Sequence, residues 1–218
     1  WSSDFDLSTE HVATGRRTPR EKTRRGRPKG GGGDATRRKI LDVALAHFAE
    51  RGYSSATLSA IATEAEIAPS ALYHYFDGKE ALYEAVYFDV APRVWQRIGE
   101  RLADVSTVRA AMETMMRGRG GEQSPHASPF LASVPTVAVL HPEFDHLLDA
   151  RSKLQNDAFR TIAELGMTTG EFADFTVDEA TEIVRTMTMG WFFERHFAGE
   201  TFDSTIEAIL KALDHMLR

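Results

Sequence analysis

Residues 57–76 read TLSAIATEAEIAPSALYHYF. Leu58, Ile61, Ala62 and Ala65 recur at helical spacing as one apolar stripe, which predicts a short helix. Thr57 stands just before it, with a hydroxyl able to accept an otherwise unpaired backbone N–H. Pro69 opens a second helix, because its fixed φ suits the first turn and its missing N–H is not needed there. Leu72 and Phe76 are four apart and face inward together, leaving Ser70, Tyr73 and His74 on the other side. A short helix with a polar and aromatic outer face, propped on another helix by a tight turn, has the helix-turn-helix layout. In that layout the second helix lies in a DNA groove and its first residues read base edges. Two amphipathic helices joined by a turn are also a common packing unit, so the neighbouring sequence has to decide.

Upstream, Ile40, Leu41, Ala44, Leu45 and Phe48 share a face and predict a helix from about Thr36 to Arg51, closed by Gly52, with Tyr53 packing back. Downstream, Leu82, Val86, Val90, Val94, Ile98 and Leu102 predict a long helix from Lys79 to about Ala103, kinked at Pro92. The whole run from Thr36 to Val86 resembles the N-terminal domain of the TetR family of bacterial transcription regulators. The matching marks are Ala44, FAERGY (48–53), Thr57, Ile61-Ala62, ALYHYF (71–76) and KEAL (79–82), in order and without gaps. The resemblance implies that Pro69, Ser70, Ala71 and His74 face bases. It implies that Thr57, Tyr73, Tyr75 and Lys79 hold phosphates, with Arg37 also on the DNA side. Three positions depart from the family pattern. Glu66 replaces a glycine in the turn, where a left-handed backbone costs a side chain about 1 kcal/mol or more. Ala68 replaces a capping Ser or Thr. Gly78 replaces a Ser, so Asp77 with Glu80 is expected to cap the next helix instead.

The net charge of -6 conceals an asymmetry. Residues 16–39 hold eleven Lys and Arg against Glu21 and Asp34, and the rest is acidic, as expected of a nucleic-acid arm on an acidic body. A solvated basic tail would look the same by charge alone. Within it, RRGRPKG (24–30) resembles the AT-hook. Arg25 and Arg27, with Lys29 beside them, suit the narrow, strongly negative minor groove of A·T-rich DNA. Four glycines, Gly30 to Gly33, close the arm as a flexible tether. No run of eighteen apolar residues predicts a membrane span, and the N-terminal stretch lacks a signal-peptide pattern. The absence of cysteine excludes disulfides and Cys-based zinc sites and fits a cytoplasmic protein.

Beyond Ser106 the family marks fade. Helices are expected over Val108–Arg117, Glu143–Leu165, Val177–Phe197 and Phe202–Leu217. A loop is expected over Gly118–Pro129, an apolar segment interrupted by Pro135 over Phe130–Leu140, and a connection over Gly166–Phe175. The fold class is all-α: a basic arm (1–33), a helix-turn-helix head (34–94) and a helical effector-binding and dimerisation body (95–218). No phosphate loop, nucleophile elbow or HExxH motif suggests an enzyme, and no cofactor is expected. His141 and His146 with Glu143 and Asp145 read as ordinary helix-start residues rather than metal ligands. The family usually holds an apolar ligand pocket in the body. Trp95, Met112, Met115, Met116, Phe130, Met187, Met189 and Trp191 are its candidate lining, with core packing as the default for each. Arg185 is a candidate for an anionic ligand, or for a local acid such as Glu182. A homodimer is expected to pair the last two helices through Phe193, Ile206, Ile209, Leu210 and Leu213. The function expected is a transcriptional repressor released from a pseudo-palindromic operator by an apolar or amphipathic effector. An architectural AT-hook protein without effector is the alternative.

Overall fold

The computed structural model describes residues 31–117, 124–197 and 202–217, and among these no strand occurs. The helices are α1 (Gly31–Ser55), α2 (Leu58–Glu64), α3 (Pro69–Leu72), α4 (Lys79–Leu102), α5 (Val108–Arg117), α6 (Ala127–Leu140), α7 (Asp145–Thr169), α8 (Val177–Phe197) and α9 (Phe202–Met216). A single 3-10 turn, Pro142–Phe144, joins α6 to α7.

The apolar face of α1 is buried as its spacing requires: Ile40, Leu41, Ala44, Leu45 and Phe48 are nearly inaccessible. Regular helix stops at Gly52, whose φ of 75° is open to glycine and costly for other residues. The chain turns there and returns Tyr53 to the core. Helices α1, α2, α3 and the first half of α4 form the head. Its aromatic centre is shared with the body. Phe48, Tyr53 and Tyr83 meet Phe130 of α6 and Phe144 of the 3-10 turn, with the Tyr83 ring 5.1 Å from Phe130 and 4.9 Å from Phe144. The two parts are further joined by α4, which runs through the expected boundary at residue 94 without a break.

Three local expectations are corrected. Pro135 does not interrupt α6, which runs unbroken from Ala127. Phe130 and Val134 before the proline and Val137 and Ala138 after it are all buried, and that packing offsets one missing backbone hydrogen bond. Gly166 does not end α7. It lies inside the helix because the Phe172 ring packs onto its bare Cα; a Cβ there would stand 2.3 Å from Phe172 Cδ2 and 2.7 Å from Val108 Cγ2. The helix ends instead at left-handed Gly170, φ 79°. Asp77 does not cap α4: the cap position is Gly78, and no side chain bonds there.

Glu66 is, among the described residues, the one non-glycine with positive φ, at 58°. Its carboxylate receives Lys39 Nζ at 2.5 Å, and that hydrogen bond holds it below the usual carboxylate range. The pair is exposed and contributes little to stability. Glu66→Gly is therefore expected to raise the melting temperature by roughly 2–4 °C, relief of backbone strain outweighing removal of the ion pair. A thermal melt showing a lower value would mean the Lys39 interaction dominates.

Candidate nucleic-acid interface and effector cavity

The turn between α2 and α3 is fixed from inside. Thr57 Oγ1 accepts the Ala60 N–H at 3.2 Å, capping α2 as its position predicts. The N–H of Ile67 reaches the Ala62 carbonyl at 3.0 Å across the turn. Pro69 starts α3, and Ala68 before it makes no side-chain cap. Leu72 and Phe76 are buried and anchor the segment. Pro69, Ser70, Tyr73 and His74 are exposed, Tyr73 to 58%, while Ala71 and Tyr75 are half-buried. Regular helix ends at Leu72, short of the expected Phe76, so Tyr73 and His74 follow α3 in a turn. One exposed aromatic beside two polar groups, on a segment whose other side is anchored, is a surface built for contact.

The cations around this surface differ in availability. Lys79 is turned inward: Nζ donates to the carbonyls of Tyr53 (2.9 Å), Ser54 (3.2 Å) and Ala56 (3.3 Å) and lies over the Tyr53 ring. All three of its donors are engaged, so in this geometry it closes the end of α1 and offers nothing to a phosphate. Arg37 lies with its guanidinium 5.2 Å from the Phe76 ring centroid and stays exposed. Arg38 is held by Asp89 at 2.7 Å. His47, buried on α1, places Nε2 2.7 Å from Glu64 and ties α1 to α2, a link that no periodicity revealed. Arg25, Arg27 and Lys29 lie outside the described residues.

The body contains a partly enclosed cavity with about 750 Å³ of empty space, its mouth included. Tyr87, Ala91, Val94, Trp95 and Ile98 of α4 form one wall. Met115, Ser128 and Leu131 reach it from α5 and α6, Arg151 and Gln155 from α7, and Thr188, Met189, Trp191, Phe192 and Arg195 from α8. Of the expected lining, Trp95, Met115, Met189 and Trp191 are present. Met112 and Met116 are buried one layer deeper, against Phe159 and the other core residues of the body. Phe130 belongs to the aromatic centre shared with the head, and Met187 packs at the edge of the body core. Arg185 is committed to Glu182 at 3.2 Å and Asn156 at 2.5 Å. Arg151, unremarkable in sequence because its neighbours are polar, faces the cavity instead. His141 pairs with Glu143 and His146 with Glu84, and no cluster among the described residues could hold a metal ion. No helix among them is long and apolar enough to cross a membrane.

The pattern described as "Bacterial regulatory proteins, tetR family" matches residues 40–86, the segment that forms α1 to the first turns of α4. The likeness to the TetR family is thus shown for the segment 40–86. The HTH-type transcriptional regulator UidR of Escherichia coli is 35% identical over 81 residues, covering 37% of this chain and 41% of UidR. The repressor KstR2 of Rhodococcus jostii is 28% identical over 134 residues, covering 62% of this chain and 59% of KstR2. The matches thus span about half the length of these relatives. The fold extends further. A protein described as a transcriptional regulator from Saccharomonospora viridis, solved in complex with choline, superposes with a TM-score of 0.69 at 16% identity, covering 84% of this chain and 95% of that one.

One expectation for the body is overturned by the packing of α9. Ile206, Leu210 and Leu213 are buried against α5 and α8 within the same chain, exposed to 4% or less, so they are core and not a surface for a partner. The heptad-like spacing of the apolar residues is real; its partner is α5. Ile209 and Phe193 are half-buried and remain accessible. The outward stripe of α9 is Ala208, Ile209, Ala212 and Met216, and α8 presents Met187 and the exposed Gly190.

Proposed function

We propose that the protein is a sequence-specific DNA-binding transcriptional regulator, a repressor that acts as a homodimer and leaves its operator when a small apolar or amphipathic effector fills the body cavity. The outward face of α3, anchored by buried Leu72 and Phe76, carries this reading. Pro69, Ser70, Ala71 and His74 meet base edges, Ser70 by hydrogen bonding and Ala71 against a thymine methyl. Thr57, Tyr73, Tyr75 and Arg37 meet phosphates, and the basic arm with Arg25, Arg27 and Lys29 tracks an A·T-rich minor groove. Two heads related by a twofold axis suit a pseudo-palindromic operator. The complex of the Saccharomonospora viridis protein with choline supports a small-molecule site in this fold.

Coupling follows from α4, which carries Tyr83 in the head core and Trp95 in the cavity wall. An effector that prefers one placement of α4 shifts the spacing of the two heads, and releases DNA only as far as that preference reaches. The dimer uses the outer faces of α8 and α9 around Met187, Gly190, Ile209, Ala212 and Met216, with Phe193 at its edge.

The reading is tested by titrating promoter fragments with the protein, with and without candidate effectors. Selective binding of one fragment, weakened by an effector, is the expected result; equal binding of all fragments would count against it. Tyr73→Phe is expected to weaken every fragment alike, because phosphate contacts carry no sequence information. A changed order of preference would show that Tyr73 reads bases. Deleting residues 1–33 removes eight basic side chains, Arg16 to Lys29. The log–log salt dependence is expected to flatten by about 0.9 for each phosphate that the shortened protein no longer neutralises. An unchanged slope would exclude the arm from the DNA complex.

A further inference from the structure

The polar groups of the cavity are unequally matched. Arg151 and Arg195 both line it, and no Asp or Glu does. Arg195 stacks its guanidinium 5.5 Å from the centroid of Trp191. Arg151 is half-buried and has no carboxylate partner among the described residues; its one hydrogen bond goes to the sulfur of Met189, 3.2 Å away. A thioether is a weak acceptor and leaves most of a five-donor guanidinium unsatisfied.

The surroundings do not supply the missing charge. Tyr87 is the acidic group that acts on Arg151, and burial pushes its phenol up to about 12, so it stays neutral around pH 7. Arg185 acts on Arg151 as a second cation. Burial holds the Arg151 guanidinium below its ordinary range, the sign of a charge taken from water without compensation.

A second observation is independent of the first. Trp191 is 5% exposed and lines the same cavity, and its buried Nε1–H has no hydrogen-bond partner. Buried indole N–H groups are normally paired, so an orphaned one in a cavity wall points to an acceptor that belongs there. Gln155 is one turn beyond Arg151 on the same face of α7, is buried, and lines the same cavity. The rest of the wall is apolar: Val94, Trp95, Ile98, Met115 and Leu131.

We infer that the effector is an amphipathic acid, its carboxylate or equivalent oxyanion received by Arg151 with Trp191 Nε1 and Gln155 as further donors, and its apolar part lying along α4 and α6. This rests on the reading of the cavity as the effector site. Arginine suits such an acid because its fork donates two parallel bonds to a carboxylate, and because a charge-assisted bond gains strength where water is excluded.

The test uses matched probes of one carbon skeleton: decanoate against decanol, and 1-naphthylacetate against 2-(1-naphthyl)ethanol. Binding is read by tryptophan fluorescence of the full chain without DNA, since Trp95 and Trp191 both line the site. The acids are expected to bind about tenfold or more tighter than the alcohols. Arg151→Met should remove that preference while leaving alcohol binding in place. Arg151→Lys should restore part of it. A structural role for Arg151 would instead lower the melting temperature of Arg151→Met; removal of an uncompensated buried charge is expected to leave it equal or higher. Equal binding of acids and alcohols, the same ratio in Arg151→Met, or no binding of any acid would overturn the inference. The regulatory reading is judged apart, on operator fragments. Acid binding through Arg151 with no change in DNA affinity would preserve the site and defeat the regulation.

Discussion

Leu210→Asp is expected to unfold the body of the protein, not to release folded monomers. Leu210 is 1% exposed and packs with Val108, Ala111 and Met112 inside its own chain. Truncating a buried leucine costs roughly 2–5 kcal/mol, and a carboxylate left in that space adds a further desolvation penalty. The sum is comparable with the whole stability of a typical domain, about 5–15 kcal/mol. Circular dichroism should show loss of helix or a fall in melting temperature far beyond any surface change. The informative contrast is Gly190→Glu. Gly190 is exposed in the middle of α8, and a Cβ there meets nothing within 4 Å. Glutamate is a better helix former than glycine, so the monomer should be at least as stable. If α8 and α9 form the dimer face, Gly190→Glu sediments as a folded monomer and loses the operator. A dimeric Gly190→Glu protein with full operator affinity would place the interface elsewhere.

Ser70→Glu should abolish operator binding with no loss of stability. Ser70 is exposed at the start of α3, and a carboxylate near a helix N-terminus is tolerated or favoured by the helix dipole. The melting temperature is therefore expected to hold. In the complex the change removes one base contact, worth about 1–3 kcal/mol, and sets a negative charge against the phosphates. The affinity should fall on the order of 100-fold or more. Unaltered binding in a gel-shift titration would mean that α3 does not enter the groove.

The head was nearly all legible in its sequence, because its signals are local. Thr57, Pro69 and Gly52 each set the backbone of their own turn, and the 3.6-residue period places Leu72 and Phe76 on one side. Even the strain at Glu66 could be anticipated from a side chain where the turn asks for none. The body was legible as helices but less so as a site. Periodicity tells which face of α9 is apolar and not what covers it, so Leu210 and Leu213 looked like a partner's surface and proved to be core against α5. The cavity misled in the same way. Methionines of α5 and α8 are apolar wherever they point, and only packing separates Met115 at the cavity from Met112 beneath it. Arg151 was hidden by its polar neighbours along the chain, and its position became visible only when α7 was set against α4 and α8.

The aromatic centre common to head and body bears on how such proteins can be recombined. Phe48, Tyr53 and Tyr83 find their partners in Phe130 and Phe144, which come from beyond residue 120. Rings of this kind bury about 150–250 Å² each. A chimera cut at the middle of α4, between residues 94 and 95, would hand the head a foreign set of partners and leave half a core unmatched. Grafting this DNA specificity onto another effector body means transplanting α6 and the Pro142–Phe144 turn together with α1 to α4, so the transferable unit is assembled from two separate stretches of the chain.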